Sequence, residues 1–211
     1  MKQERFGIVI RDKEGKPSLE VGSHVIKYAP EIAKKIGEIA AIWAQAEVNL
    51  NCLFAVFLNT TPDDARKQLK KYNNAAKTTD AARELAANHL QNEELQSVTE
   101  ILSRLDQARV KRNRVQHDVW AKKGEDTQTL FAIHSDQYFK FTTEFLELTE
   151  STTPENEKSQ QVIKLADEFT ETISTSYTIL DLTLIEQELY SLSTALMKAM
   201  TFRLFQRSKG R

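Results

Sequence analysis

The stretch EIAKKIGEIAAIWAQAEVNLNCLFAVFLN, residues 31–59, decides the fold class of this chain. Its apolar residues recur in alternating steps of four and three over about seven helical turns. They are Ile32, Ile36, Ile39, Trp43, Ala46, Leu50, Leu53 and Phe57. Such a stripe is typical of a helix that packs in a bundle. Because Pro30 stands at the first helical position, the stretch predicts a long helix near 31–58.

The same helical spacing returns later in the chain. Residues 93–120 carry it in Leu95, Val98, Ile101, Leu102, Leu105, Ala108, Val115 and Val119. The stretch DLTLIEQELYSLSTALMKAMTFRLF predicts a last long helix near 182–205. Shorter helices are expected in 61–72, with Thr61 as the N-cap, and in 79–90.

Two stretches have the shorter period of a β-strand. Residues 1–28 contain short apolar runs around a charged turn, which predicts a β-hairpin or an extended arm. Alternating apolar residues over 129–145 predict a short strand pair, in which 129–134 pairs with 138–145.

Two stretches, residues 151–160 and 161–180, have no clear apolar period. Residues 151–160 are expected to form a loop, and residues 161–180 fit either a helix or a strand. No internal repeat or long linker interrupts residues 1–211. The chain is therefore expected to be a single all-α domain, an up-and-down helical bundle with small β-additions.

The composition limits the classes of function. Hydrophobic residues make up 40% and charged residues 28%, as in ordinary soluble proteins. The net charge of −1 means that a nucleic-acid partner would need a local basic patch. A single cysteine, Cys52, excludes an internal disulfide and a cysteine zinc cluster. No apolar run suggests a signal peptide or approaches a membrane span, so we expect a cytoplasmic protein without a membrane partner.

The stretch RNRVQH, residues 112–117, places polar groups on the helix of 93–120. At about 100° per residue, Arg112 projects into the middle of the apolar stripe. A guanidinium there needs a partner, because burying an unpaired charge costs several kcal/mol. Asn113 and His117 lie one turn apart on a shared face. The three side chains could therefore line the rim of a cleft where the bundle opens or meets a second subunit.

Basic residues surround these groups. Residues 104–123 contain seven Lys or Arg and two Asp, although the whole chain carries −1. Such a cluster around a histidine suits a phosphate-bearing substrate. It also fits a purely structural reading, because an arginine can extend to solvent and a histidine is favoured at a helix C-terminus.

The RNRVQH stretch resembles the R-x4-6-H signature of HEPN domains (higher eukaryotes and prokaryotes nucleotide-binding), in the form where Asn follows Arg. Trp120 follows the histidine, and IWAQAEVNLNCLF, residues 42–54, resembles an earlier long helix of many bacterial members. Asp118 departs from the pattern, since Gly is frequent at that position.

The resemblance implies an all-α bundle that forms a homodimer with two facing motifs. It also implies a metal-independent endoribonuclease of a toxin–antitoxin or abortive-infection system, with RNA as substrate, an antitoxin as a further partner, and no metal or cofactor. Arg112 and His117 would be the catalytic pair and Asn113 a supporting polar residue. Independently of the resemblance, Glu47 lies one turn from both Trp43 and Leu50, on the apolar side of the first long helix. It would orient Arg112 or His117, or else pair with a lysine as an ordinary boundary glutamate.

RNA would be bound by the basic residues near the motif, namely Arg109, Lys111, Arg114, Lys122 and Lys123. The chemistry agrees with these residue types, since histidine titrates near neutral pH and arginine suits phosphate oxygens.

Two alternatives stay open. The His117–Asp118 doublet resembles that of metal-dependent HD phosphohydrolases, for which His89 is the nearest further ligand. An inactive HEPN-like module that binds RNA, a nucleotide or a protein is the non-enzymatic alternative.

Overall fold

The computed structural model describes residues 7–209, which are mainly helical with one small antiparallel sheet. The helices are α1 (Ser23–Lys27), α2 (Pro30–Leu58), α3 (Pro62–Leu69), α4 (Ala75–His89), α5 (Asn92–His117), α6 (Ser135–Glu150), α7 (Glu155–Thr172) and α8 (Ile179–Lys209). The strands are β1 (Ile8–Arg11), β2 (Pro17–Val21), β3 (Val119–Lys123), β4 (Leu130–Ile133) and β5 (Ser176–Tyr177). This confirms the predicted combination of long helices with small β-additions.

The chain divides into two compact units. The sheet unit comprises the described residues up to Ile36 together with Asn113–Leu182, and the helical unit comprises Gly37–Arg112 and the described residues from Thr183 onward. The single domain over 1–211 stays a prediction.

The sheet unit holds five strands in the order β1-β2-β3-β4-β5, all antiparallel. The predicted hairpin is confirmed for β1 and β2, which pair with each other, but the prediction of a hairpin or arm up to residue 28 is wrong over Ser23–Lys27, which form α1. Residues 1–6 lie outside the described part. One face of the sheet packs on α6 and α7, where Phe141 stacks on Phe169 with ring centroids 4.0 Å apart.

The prediction that 138–145 is a strand is wrong, because these residues lie in α6. Tyr138, Phe141 and Phe145 are spaced by three and four, so they share a helix face. Phe139, which a strand would place beside Phe141, is 69% exposed. The predicted strand at 129–134 does form, as β4, but it pairs with β3 and β5.

The predicted helix of 93–120 ends earlier than expected, at His117. Val119 and Trp120 begin β3 and pair with Ile133 and Ala132 of β4. Val119 lies four residues after Val115, a spacing that fits a helix, but pairing with a distant strand decides its structure.

Two other boundaries differ from expectation. The loop predicted for 151–160 is wrong beyond Pro154, where α7 begins with glutamates in its first turn. The ambiguous residues 161–180 continue α7 to Thr172 and then form β5. The helix predicted from 79 begins at Ala75, because the Asn74 side chain caps it by accepting a hydrogen bond from the Lys77 backbone N–H.

The helical unit is built on the apolar stripe of α2. Trp43, Leu50 and Phe57 from this stripe are buried. Beside it, the Asn49 side chain donates to the backbone oxygen and the hydroxyl of Ser193 in α8, both at 2.9 Å. Within residues 7–209, α2 is long and apolar enough to cross a membrane by length and composition. Buried core helices pass the same test, but the expectation that no stretch approaches a span is wrong on this criterion.

Candidate functional site

Arg112 occupies a core position of α5. The buried residues of this helix recur at Val98, Leu102, Leu105, Ala108 and Val115. Arg112 lies four residues after Ala108 and three before Val115, so it continues their stripe. It is half-buried, whereas its apolar neighbours in the stripe are fully buried. The sequence-based placement of this side chain on the apolar face is therefore correct.

The guanidinium of Arg112 lies against α2. Its central carbon is 5.5 Å from the centroid of the Trp43 ring, a cation–π distance. Burial lowers the pKa of Arg112, and the negative charge of Glu47 opposes that decrease. The attraction between a cation and the face of an aromatic ring favours this position of the guanidinium. The helical unit thus brings Glu47, Trp43 and Arg112 together.

Asn113 and His117 are exposed on the last turns of the same helix. His117 is the final residue of α5. Among residues 7–209, no side chain forms a hydrogen bond or ion pair with this imidazole. The ring is therefore exposed to solvent, and His117 follows Arg112 by five residues along α5.

Asp118 has a structural role next to the motif. Its carboxylate is 6% exposed and accepts a hydrogen bond at 3.0 Å from Arg114 Nε. Arg114 also donates to the Thr175 hydroxyl at 3.1 Å. In the described chain, no three His, Cys, Asp or Glu side chains are grouped so that they could hold a metal ion. This geometry gives no support to the metal-dependent alternative built on His117 and Asp118.

The two lysines of β3 have internal partners, which corrects their expected role as RNA contacts. Lys122 Nζ lies 3.3 Å from Glu20 Oε1, and both side chains are largely buried. Lys123 Nζ donates to the backbone oxygens of Thr170 and Ile173 at 3.1 and 2.8 Å. Because neighbouring residues of a strand face opposite sides of the sheet, the two lysines lie on different faces. Lys122 pairs across strands within the sheet, and Lys123 reaches the end of α7 and the residue after it.

The other basic residues near the motif differ in their availability. Lys111 is exposed, and among residues 7–209 its ammonium group has no ion-pair partner. Arg109 is half-buried and pairs with Asp106 at 3.3 Å, and Arg114 is engaged as described. Of the five expected RNA contacts, Lys111 is thus the most accessible.

Tyr177 is a neighbour of the motif that the sequence did not reveal. Its ring meets the Trp120 ring at a centroid distance of 5.7 Å. Burial raises the pKa of the Tyr177 hydroxyl, while the charge of Arg114 acts to lower it. No sequence signal identifies Tyr177 or Thr175, because both lie in a stretch without a clear period.

Comparison of the chain with protein-family models, with curated proteins and with solved structures gives no match.

Proposed function

We propose that this chain is a metal-independent endoribonuclease of HEPN type. The observation that carries the proposal is the constellation on α5. A half-buried Arg112 is held over Trp43, and the exposed Asn113 and His117 follow it on the same helix. In this proposal the protein is a cytoplasmic toxin or defence enzyme, with a cognate antitoxin as a further partner.

The reaction uses the nucleophile that RNA itself provides. The 2′-hydroxyl oxygen attacks the adjacent phosphorus as its proton is removed, and the 5′-oxygen of the next nucleotide leaves with a proton. The products are a 2′,3′-cyclic phosphate and a 5′-hydroxyl. His117 moves the proton, because an imidazole can both accept and donate a proton in general acid–base catalysis. Arg112 donates to the phosphate oxygens, where negative charge develops.

A homodimer belongs to the proposal, because the motif would act where two copies meet. Val48 and Val110 are 53% and 58% exposed, and they stand next to Glu47 and near Arg112 in the sequence. Exposed apolar side chains beside a charged site fit a subunit interface. Light scattering at micromolar concentration should give the mass of a dimer, and Val110→Asp should shift it toward the monomer and reduce cleavage.

The experiment that tests the function uses the full chain, a labelled single-stranded RNA and excess EDTA. We expect cleavage that leaves 2′,3′-cyclic phosphate ends. His117→Ala should slow it by roughly 100- to 10,000-fold while RNA affinity stays nearly constant. His89→Ala, which changes another exposed histidine at a helix end, is the matched control and should cleave normally.

Three results would contradict the proposal. Cleavage that stops in EDTA would favour metal-dependent hydrolysis, and RNA binding without turnover would favour the inactive module. Wild-type cleavage by a folded His117→Ala variant would remove the proposed proton-transfer role.

A further inference from the structure

Strand β1 forms one edge of the sheet. It pairs with β2 on one side, and among residues 7–209 no strand pairs with its other side. An edge strand presents backbone N–H and C=O groups that can pair with a further strand.

The hydrogen bonds of β2 show which groups of β1 face outward. Gly22 N–H donates to Trp120 O, and Gly124 N–H donates to Ser18 O, so the even-numbered residues of β2 bond to β3. The odd-numbered residues therefore bond to β1, where they pair with Ile8 and Ile10. Since backbone groups alternate in direction along a strand, the N–H and C=O of Val9 face the free edge.

An apolar groove runs beside this edge. It has a volume of about 420 Å³ and is lined by Ile8–Arg11 and by residues of α6 and α7. Those residues include Phe145, Val162 and Ile163. Ile163 is 61% and Phe145 38% exposed, a large apolar exposure for two side chains on adjacent helices. A free strand edge next to an apolar groove is the arrangement used by domains that bind peptides as an added strand.

The charge around the groove indicates the kind of peptide. Residues 135–172, which contain α6 and α7, carry nine Asp or Glu and three Lys. Two charged residues line the groove itself: Asp167, and Arg11, whose guanidinium donates to the backbone oxygen of Gly15 at 2.7 Å. This negative surface disfavours nucleic acid and favours a segment that bears Lys or Arg.

We propose that β1 and this groove bind an extended segment of a partner protein as a sixth strand of the sheet. The segment pairs its backbone with Val9, places alternate apolar side chains in the groove, and has flanking Lys or Arg residues facing the acidic helices. This inference concerns the sheet unit and does not depend on the ribonuclease proposal.

A peptide titration tests it directly on the full chain. The probe is the labelled peptide KTVTVTK, which should raise the fluorescence anisotropy on binding, whereas the acidic counterpart ETVTVTE should bind at least tenfold more weakly. Failure of KTVTVTK to bind at millimolar concentration, or equal binding of the two peptides, overturns the proposal.

The backbone contact is tested with a matched pair of variants. Val9→Pro removes the outward N–H at a position where proline is tolerated, because an edge strand does not need that donor for its own sheet. Val9→Ala removes the same side chain but keeps the donor. We expect Val9→Pro to weaken binding at least tenfold relative to Val9→Ala. Equal binding by the two variants contradicts strand addition.

The groove contact has its own pair. Ile163→Arg puts a cation into the groove and should repel the basic peptide, whereas Phe139→Arg adds the same charge at an exposed site of α6 outside the groove. Tenfold weaker binding is expected for the first variant alone. If both variants weaken binding equally, the weakening comes from a general change in the charge of the protein and not from contact in the groove.

Amide hydrogen exchange identifies the occupant of the edge. In the free chain the Val9 amide should exchange much faster than those of Ile8 and Ile10, and KTVTVTK should slow it at least tenfold. Slow exchange of Val9 in the free chain means that the chain itself, or a second copy if the protection rises with protein concentration, already covers the edge. Either result overturns the proposal.

Discussion

The basic stretch of residues 104–123 and the acidic stretch of residues 135–172 have similar excess charge of opposite sign. Seven cations accompany two acids in the first, and nine acids accompany three lysines in the second. In the basic stretch most cations are bound internally. The clearest example is Arg104, whose guanidinium donates to both carboxylate oxygens of Glu188 at 3.0 and 2.9 Å.

The acids of residues 135–172 are mostly exposed instead. In the described chain, no cation pairs with Glu147, Glu150, Glu155, Glu157, Asp167 or Glu171. The difference shows that a cluster of charged residues in the sequence becomes a charged surface only where the fold provides no hydrogen-bond or ion-pair partners for them. The acidic stretch keeps its field, while the basic stretch is reduced to a few available groups near Arg112.

The largest effect expected from this comparison is on stability. Lys122→Met should lower the free energy of unfolding by several kcal/mol, about 3–5 kcal/mol at most. It leaves the buried carboxylate of Glu20 without its lysine, although His24 Nε2 still lies 3.4 Å from the other carboxylate oxygen. Urea unfolding measures the change. Lys111→Met, the exposed counterpart in the same stretch, should stay within about 0.5 kcal/mol of the original chain. Equal losses of stability in the two variants would contradict the distinction between a buried, paired lysine and an exposed one. Adding Glu20→Gln to Lys122→Met should restore most of the loss.

The next effect is on catalysis by the cation that we assign to RNA. Arg112→Ala should reduce the rate of cleavage by roughly 100- to 1,000-fold, because one donor to the developing charge is lost. Arg112→Lys should not restore the rate, since a single ammonium cannot reproduce the planar guanidinium. Single-turnover kinetics on variants shown to fold measure both. A fully active Arg112→Lys would mean that simple charge is sufficient, and Lys111→Ala serves as the neighbouring control.

A smaller effect concerns an acid that does have partners. Asp181 accepts from the backbone N–H and the hydroxyl of Thr178 at the start of α8, and the Asp181 N–H bonds back to that hydroxyl. These hydrogen bonds, the side-chain one first, lower the pKa of Asp181. Asp181→Ala should cost about 1 kcal/mol at pH 7.

The pH dependence of that cost follows from the direction of the pKa shift. The stabilisation is present above the ordinary aspartate pKa of about 3.9 and is lost as the pH falls through the lower folded value. Unfolding of the two proteins should therefore converge in acid. A difference that stays constant down to that range would show that the carboxylate charge plays no part.

The smallest effect is on the salt dependence of RNA binding. Lys111→Ala should make the plot of log affinity against log salt shallower by about 0.7, the value for one phosphate contact with a single strand. Lys123→Ala should leave the slope unchanged, because its ammonium group is held by two backbone oxygens. Equal slopes for all three proteins would place the RNA elsewhere.

The sequence predicted an element correctly where the spacing of its apolar residues agreed with the contacts that the element makes to distant parts of the chain. α2 was predicted almost to the residue, because one unbroken stripe specifies it. The spacing of apolar residues around Val119 and Phe141 fits both a helix and a strand. Pairing of Val119 with Ile133 makes the first a strand, and packing of Phe141 on Phe169 places the second on a helix. A single sequence does not display such distant partners, so these were the places where prediction failed.

For the candidate site, helical phase alone placed Arg112 on the apolar face and the pair Asn113 and His117 one turn apart. It also named Glu47, whose charge acts on Arg112. Helical phase could not predict which cations would find partners, because Glu20 and Thr175 come from distant parts of the chain. The expected basic surface was therefore too large.

The connection between α5 and β3, directly after His117, is very short. Asp118 alone separates the last residue of α5 from the first of β3, and its N–H still bonds to Arg114 O. The backbone of His117 is thus held between a helix and a paired strand. Inserting one residue at this joint would either turn the helix end by about 100° or reverse the two faces of β3. Length changes should be far better tolerated in the Gly15 turn than here, whatever residues are inserted.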